Sequence, residues 1–210
     1  TILLPNSAAE QREIERRFGV SRPAVIVPNA ADAALFGPPQ EGRARRGVLC
    51  VGRLEPRKNQ LALIRALADT GIPLTFVGDP GRYSAAYARR CWQAAGPHVR
   101  FVGQQPAEKL RALYHAAAVH ACVSWYETPG LASLEAALCG CAVVVTRGGS
   151  VHEYFGDDAH YADPGAPDSV RKAIRVALEA GPAPHLAERI RHDCTWAAAA
   201  ERTLAAYRRA

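Results

Sequence analysis

From residue 47 onward the chain keeps a beat that few folds can accommodate. "GVLCVGR" leads into "NQLALIRALADTG", "PLTFVG" into "SAAYARRCWQAAG", "VRFVG" into "PAEKLRALYHAAA", and "VHACVS" into "GLASLEAALCG". "CAVVVTR" is followed by the helical turn "SVHEYF", and the short strand "AHYADP" by the helix "DSVRKAIRVALEAG". The first member of each pair is a brief apolar run, and the second has helical length and spacing. Strands that alternate with helices predict a parallel sheet covered by helices on both faces, and near-continuous apolar strands are what such a sheet requires. The expected fold is therefore α/β, a Rossmann-like, doubly wound parallel sheet. Two further helices follow, around "HLAERIRHD" and over "TWAAAAERTLAAYRRA".

The first 36 residues have a different character. "ILLP" and "AVIVPN" are predicted strands. They flank a helix that Ser7 and Glu10 open as a capping box and Gly19 closes. The stretch "AADAALFGPPQEGRARRG" is rich in Gly, Pro and Arg and marks a boundary. The expected organisation is residues 1–36 as one unit, a linker over 37–46, the sheet domain over 47–195 and a terminal helix over 196–210.

Composition narrows the class without choosing within it. The 210 residues are 49% hydrophobic and 22% charged, as in ordinary soluble globular chains. No apolar run approaches the ~18 residues needed to cross a bilayer, and "TILLPNSAAEQREIERRFG" lacks a signal-peptide pattern. Met is absent throughout, position 1 included, which points to a fragment or trimmed chain. The net charge of +6 allows an anionic partner but does not identify one. No strand face interleaves aromatic and basic residues, so nucleic acid is not expected. Six cysteines form no Cys-x-x-Cys pair, and Cys50, Cys122 and Cys141 lie in apolar runs. We expect reduced, buried thiols in a cytoplasmic protein, and no zinc.

In a doubly wound sheet, ligands sit outside the carboxyl ends of the strands. Attention therefore falls on Arg53–Lys58, Gly78–Arg82, Gly103–Gln105, Trp125–Gly130 and Arg147–Glu153. In "VGRLEPRKN", Arg53 follows a strand and Lys58 lies where the next helix begins. Two cations there suit a diphosphate. Glu55 and Arg57 between them are expected to face solvent. Gly52 is the single glycine at this turn, so the Gly-x-Gly-x-x-Gly fingerprint of dinucleotide enzymes is missing, as is a P-loop.

"WYETPGLASLEAALCG" poses a question of its own. Glu135 sits within a helix that is otherwise apolar, and a lone acid in such a place is costly unless something answers it. Glu127 precedes the same helix. Gly130 and Leu131 open it, with backbone amides that favour an anion. A carboxylate can accept from two vicinal hydroxyls, which a ribose offers. The competing reading is a salt bridge from Glu135 to an arginine, with Glu127 as a cap.

Four stretches together, "VGRLEPRKN", "FVGDPG", "VRFVGQQP" and "YETPGLASLEAALCGCAVVVTRGGSVHEY", resemble the carboxyl-terminal domain of retaining glycosyltransferases of GT-B fold, of the family 4 or group 1 type. The likeness runs from about residue 25 to the end. Its most specific element is the pair of glutamates separated by seven residues, Glu127 and Glu135. The resemblance implies a nucleotide-sugar donor, UDP- or GDP-linked, bound without metal or other cofactor. It implies that Arg53 and Lys58 hold the diphosphate and that Glu135 accepts the ribose hydroxyls. It gives Glu127 and the amides of Gly130 and Leu131 to the sugar and phosphate, and Gly52, Val102 and Gly103 to the border of the nucleotide. Glu127, Arg53 and Lys58 are the implied catalytic set.

It further implies an acceptor that is a sugar, polysaccharide or lipid-linked sugar. The acceptor would sit on an amino-terminal domain mostly missing here, so that this chain alone is inactive. Residues 1–36 would be the end of that domain, and the enzyme would work in the cytoplasm or at the inner face of the membrane. Two departures stand out: Thr128-Pro129-Gly130 replaces a frequent Gly-Phe-Gly, and "PNAAD" has Ala30 where the family often has Gly. A sugar-nucleotide epimerase and a non-catalytic nucleotide-sugar-binding module remain alternatives.

Overall fold

The computed structural model describes residues 1–39 and 44–209. Six parallel strands form one sheet: β1 (Val48–Val51), β2 (Leu74–Val77), β3 (Val99–Val102), β4 (Val119–Cys122), β5 (Ala142–Val145) and β6 (His160–Tyr161). Their spatial order is β3-β2-β1-β4-β5-β6. The chain builds outward from β1 to one edge, then returns to β1 and builds toward the other. The reversal leaves a crevice at the carboxyl ends of β1 and β4, the topological switch point where doubly wound sheets bind ligands.

Helix α1 (Ala8–Phe18) precedes the sheet. Helices α2 (Gln60–Leu67), α3 (Ala85–Ala94), α4 (Ala107–Ala116), α5 (Leu131–Leu138), α6 (Val151–Phe155) and α7 (Pro167–Ala180) connect or follow its strands. Helices α8 (Leu186–Asp193) and α9 (Trp196–Tyr207) close the described chain. Side chains alternate between two cores, as the twofold strand period demands. Leu49, Cys122, Val143 and Val145 enter one core with Leu134 and Leu138 of α5. Val48, Cys50, Ala121 and Val144 enter the other with Leu63 and Ile64 of α2 and Ile174 of α7. All six cysteines are free and buried. Among the described residues no helix is long and apolar enough to cross a membrane.

The front of the chain departs from expectation. "ILLP" and "AVIVPN" are not members of the sheet. They run parallel to each other through a single bridge, Leu3 to Ala24, supported by bonds from Leu3 N–H to Pro23 O and from Val27 N–H to Pro5 O. Pro5, Pro23 and Pro28 lack the backbone donor that a longer ladder needs. Half of the capping box forms as expected at α1, with Ser7 Oγ accepting from Glu10 N–H; the Glu10 carboxylate reaches back one residue further, to the N–H of Asn6. Gly19 ends the helix at φ 61°. Of the 37–46 segment expected to be a linker, residues 40–43 lie outside the described residues, as does Ala210 of the terminal segment. Phe36 is buried in the first core, edge-on to Tyr114 with ring centroids 5.9 Å apart. On α9, Trp196, Leu204 and Tyr207 are exposed and line an apolar cleft with Val27 and Pro28.

Candidate active site

The β1–α2 and β4–α5 loops meet over the switch point and are tied together through their backbones. Gly52 leaves β1 at φ 148°, and the aliphatic stem of Lys58 lies close over it. A short 3-10 turn, Pro56–Lys58, then ends at Asn59, which adopts the left-handed conformation at φ 57°. The Asn59 amide donates to Val123 O at 3.3 Å and Pro164 O at 2.8 Å, and Trp125 N–H donates to Arg57 O at 2.9 Å. Pinned in this way, Lys58 brings its Nζ to 2.5 Å from Glu127 Oε1.

Arg57 shares that carboxylate while its side chain stays 45% exposed, in keeping with the expectation that it faces solvent. Its Nη1 donates to Tyr126 O at 2.7 Å and to Glu127 Oε1 at 3.3 Å. Glu55, also expected to face solvent, is instead largely covered, between Arg57 at 3.0 Å and Arg53 at 3.5 Å. A charged residue beside proline in a turn resembles a solvated one until its neighbours fold over it. The Arg53 side chain is 68% exposed and pairs with Glu55 at 3.5 Å.

Glu127 is 7% exposed. Burial pushes its carboxyl up, but the Lys58 hydrogen bond and charge, the Ser124 hydroxyl and the Arg57 charge outweigh that and hold it below the usual carboxylate range. The loop after β5 packs against it from behind. Glu127 N–H donates to Gly148 O, and Glu127 O accepts from Ser150 N–H. A Cβ on Gly149, which has φ 86°, would fall 2.0 Å from Glu127 O, and one on Gly148 would fall 2.2 Å from Trp125 O. Only a glycine pair allows this approach. Sequence reasoning flagged the Arg147–Glu153 segment but gave these glycines no task; their adjacency just after a strand was the available signal.

Gly130 caps α5 at φ 91° and contributes no side-chain cap to its first amides. Leu131 beside it is 47% exposed. One turn further, Glu135 is half-buried. Its partner is a hydroxyl rather than the arginine of the competing reading: Tyr114 donates to Glu135 Oε2 at 3.0 Å. Burial raises the Glu135 carboxyl, and the Tyr114 bond offsets part of that rise. Tyr114 was not recognised from the sequence, because an aromatic inside "LRALYHAAA" is indistinguishable from a core residue. Val102 and Gly103 close β3, three strand spacings or about 14 Å from β4. Asp79 from the β2 end faces Gly103 and accepts from Gln104 N–H. Lys58, Arg57 and Glu127 thus meet at the switch point, with Arg53 joined to Arg57 through Glu55, while Glu135 stands one turn into α5 on Tyr114 and the β3 end lies three strands away.

A family model described as "Glycosyl transferases group 1" matches residues 38–193. The D-inositol 3-phosphate glycosyltransferase of Acidothermus cellulolyticus is 31% identical over 173 residues, covering 71% of this chain and 39% of that protein. The protein of the same description from Kineococcus radiotolerans is 30% identical over 249 aligned residues, 99% of this chain and 57% of its own. The chain thus spans about half the length of the curated relatives it matches. Among solved structures, sucrose-phosphate synthase from Thermosynechococcus elongatus superposes with a TM-score of 0.86 at 25% identity, over 99% of this chain and 58% of that one. Anabaena Alr3699/HepE, solved in complex with UDP and glucose, has a TM-score of 0.86 at 22% identity over 98% of this chain and 62% of its own, a likeness of fold.

Proposed function

The chain belongs to the group 1 glycosyl transferases, and on that footing we propose that it binds the nucleotide-sugar donor for retaining, metal-independent glycosyl transfer. The observation that carries the proposal is the Lys58–Glu127 pair, 2.5 Å apart at the switch point of the sheet. A carboxylate and an ammonium so placed divide the work that a sugar diphosphate requires. The diphosphate draws Lys58 and Arg53 to itself, and Glu127 is released to accept hydrogen bonds from the sugar hydroxyls. Arg53 has little to give up, since an exposed pair such as Arg53–Glu55 contributes at most about 1 kcal/mol. The same cations then stabilise the charge that grows on the departing nucleoside diphosphate, the task a metal ion performs elsewhere. The amides at Gly130 and Leu131 face the sugar and phosphate, Glu135 takes the ribose, and Val102 and Gly103 border the base.

In this reading the acceptor, a sugar, polysaccharide or lipid-linked sugar, is bound by the remainder of the protein. The cleft beside α9 is the seat of that remainder, this chain alone does not turn over, and any membrane contact is peripheral. UDP and GDP are the leading nucleotides, and UDP is the one in the HepE structure.

A thermal-shift panel of UDP, GDP and ADP on the intact protein tests donor binding. A ligand at one hundred times its dissociation constant stabilises by about 2.7 kcal/mol, which for a chain of this size moves the melting temperature by about 5–10 °C. If none of the three moves it in a folded sample, the proposal is lost. The anomeric configuration of the transferred sugar, followed by NMR, then separates retention from inversion. Conversion of a nucleotide sugar without any acceptor would mark an epimerase.

A further inference from the structure

Resting on that donor-binding reading, we propose that Tyr114 is the positioning residue for Glu135, engaging one carboxylate oxygen so that the other is presented to the vicinal hydroxyls of the donor ribose. Tyr114 lies on α4 and is 0% exposed, while Glu135 lies on α5 and is only half-buried. The hydroxyl has one proton to donate, and it goes to Oε2 at 3.0 Å. The phenol cannot follow a wandering carboxylate, because its surroundings are bolted down. Phe36 packs edge-on against the ring, and the Tyr114 carbonyl accepts from Arg45 Nη1 at 3.3 Å and from the Cys141 thiol at 3.1 Å. On the same helix, Arg111 one turn earlier and His115 just after Tyr114 tie α4 to Leu35 O and Gly37 O at 3.2 and 2.8 Å. An unanchored glutamate on a helix face samples several rotamers; this one is held from below by a fixed donor, with Oε1 left for a ligand. Burial keeps the phenol protonated at any working pH, so it acts only as a donor toward Glu135. A tyrosine that served the fold alone would need no acidic partner at the rim of the nucleotide crevice, since a backbone carbonyl would satisfy its hydroxyl equally well.

The test is a ratio measured within each variant. UDP, GDP or ADP, whichever binds the intact wild-type protein, is titrated by calorimetry alongside its 2′,3′-dideoxy counterpart. Wild type should prefer the ribose form. Tyr114→Phe removes one oxygen and should lower that preference about tenfold, the loss of one positioned hydrogen bond, while leaving dideoxynucleotide affinity within twofold. Because both affinities come from the same preparation, any shortfall of folded variant cancels in the ratio. In a Glu135→Ala background the preference should already be gone, and Tyr114→Phe should lower it no further. Equal weakening of both ligands, an unchanged ratio, or a further loss in the Glu135→Ala background would each overturn the role of Tyr114 while leaving donor binding standing. Failure of wild type to bind any of the three nucleotides would instead overturn the donor-binding reading, and this one with it.

Discussion

Glu127 and Glu135 stand eight positions apart in one stretch of chain, yet the fold treats them in opposite ways. Glu127 is the more buried, and its carboxyl is held low, because Lys58 and Arg57 both reach Oε1. Glu135 is the less buried, yet burial raises its carboxyl, and the neutral Tyr114 hydroxyl that answers it offsets only part of that rise. Depth of burial therefore does not decide which acid is easily ionised; the charge of the partner does. The first glutamate is integrated into an ion-paired floor. The second is half-buried with a hydroxyl on one oxygen, which suits a group that awaits hydroxyl donors from a ligand.

Breaking the floor should have the largest effect. Lys58→Ala leaves Glu127 buried with only the longer Arg57 contact as a charged partner among the described residues. Removing one partner of a buried pair costs about 3 kcal/mol, to be measured by denaturant unfolding, and nucleoside diphosphate affinity should fall about 100-fold. Next is Gly149→Ala. Its Cβ would strike the Glu127 carbonyl, and φ 86° strains any residue with a side chain, so roughly 2 kcal/mol of stability should be lost, with weaker donor binding because Glu127 must shift.

Glu135→Gln should act in the opposite sense on the two readouts. Nucleotide affinity falls about tenfold, while stability at neutral pH rises. The sign follows from the raised carboxyl: its folded value lies above the unfolded one, so wild type loses stability as pH climbs from about the unfolded value of 4.5 through the folded value. The variant, with nothing to ionise, escapes that loss, and the two proteins should converge below pH 4. Glu127 runs the other way. Its lowered carboxyl gives stability that is present above the unfolded value and lost as pH falls through the folded one, so the acid limb of the stability profile should flatten in Lys58→Ala. The smallest structural effect belongs to Arg53→Ala. With its side chain 68% exposed, stability should stay within about 0.5 kcal/mol, while nucleoside diphosphate affinity drops about tenfold. A stability loss equal to that of Lys58→Ala would abolish the distinction between floor and rim.

Much of this was legible in the chain itself. The beat from "GVLCVGR" to "DSVRKAIRVALEAG" led to a parallel sheet, and residues just past strand ends included Lys58, Glu127 and Gly130, which the fold brings to one rim. Arg57, Tyr114 and the Gly148–Gly149 pair were not legible as site residues. Each depends on a contact spanning 21 or more positions: Arg57 on Glu127, Tyr114 on Glu135, and Gly149 on the Glu127 backbone. No local pattern encodes such a partner. The prolines that shorten the pairing of residues 3–5 with 23–27 were visible, but apolar runs outweighed them in the reading.

The sequence by itself determined the element types, their order and the set of charges delivered to the strand ends, because hydrophobic period and turn chemistry are local properties. Only the tertiary structure decided who answers whom. It set a lysine against the first glutamate and a phenol against the second, because partner choice depends on how loops from distant strands pack at one switch point. The acid in "LASLEAALCG" is answered by a hydroxyl from another helix, and that assignment exists only once the fold brings Tyr114 of α4 to Glu135 of α5.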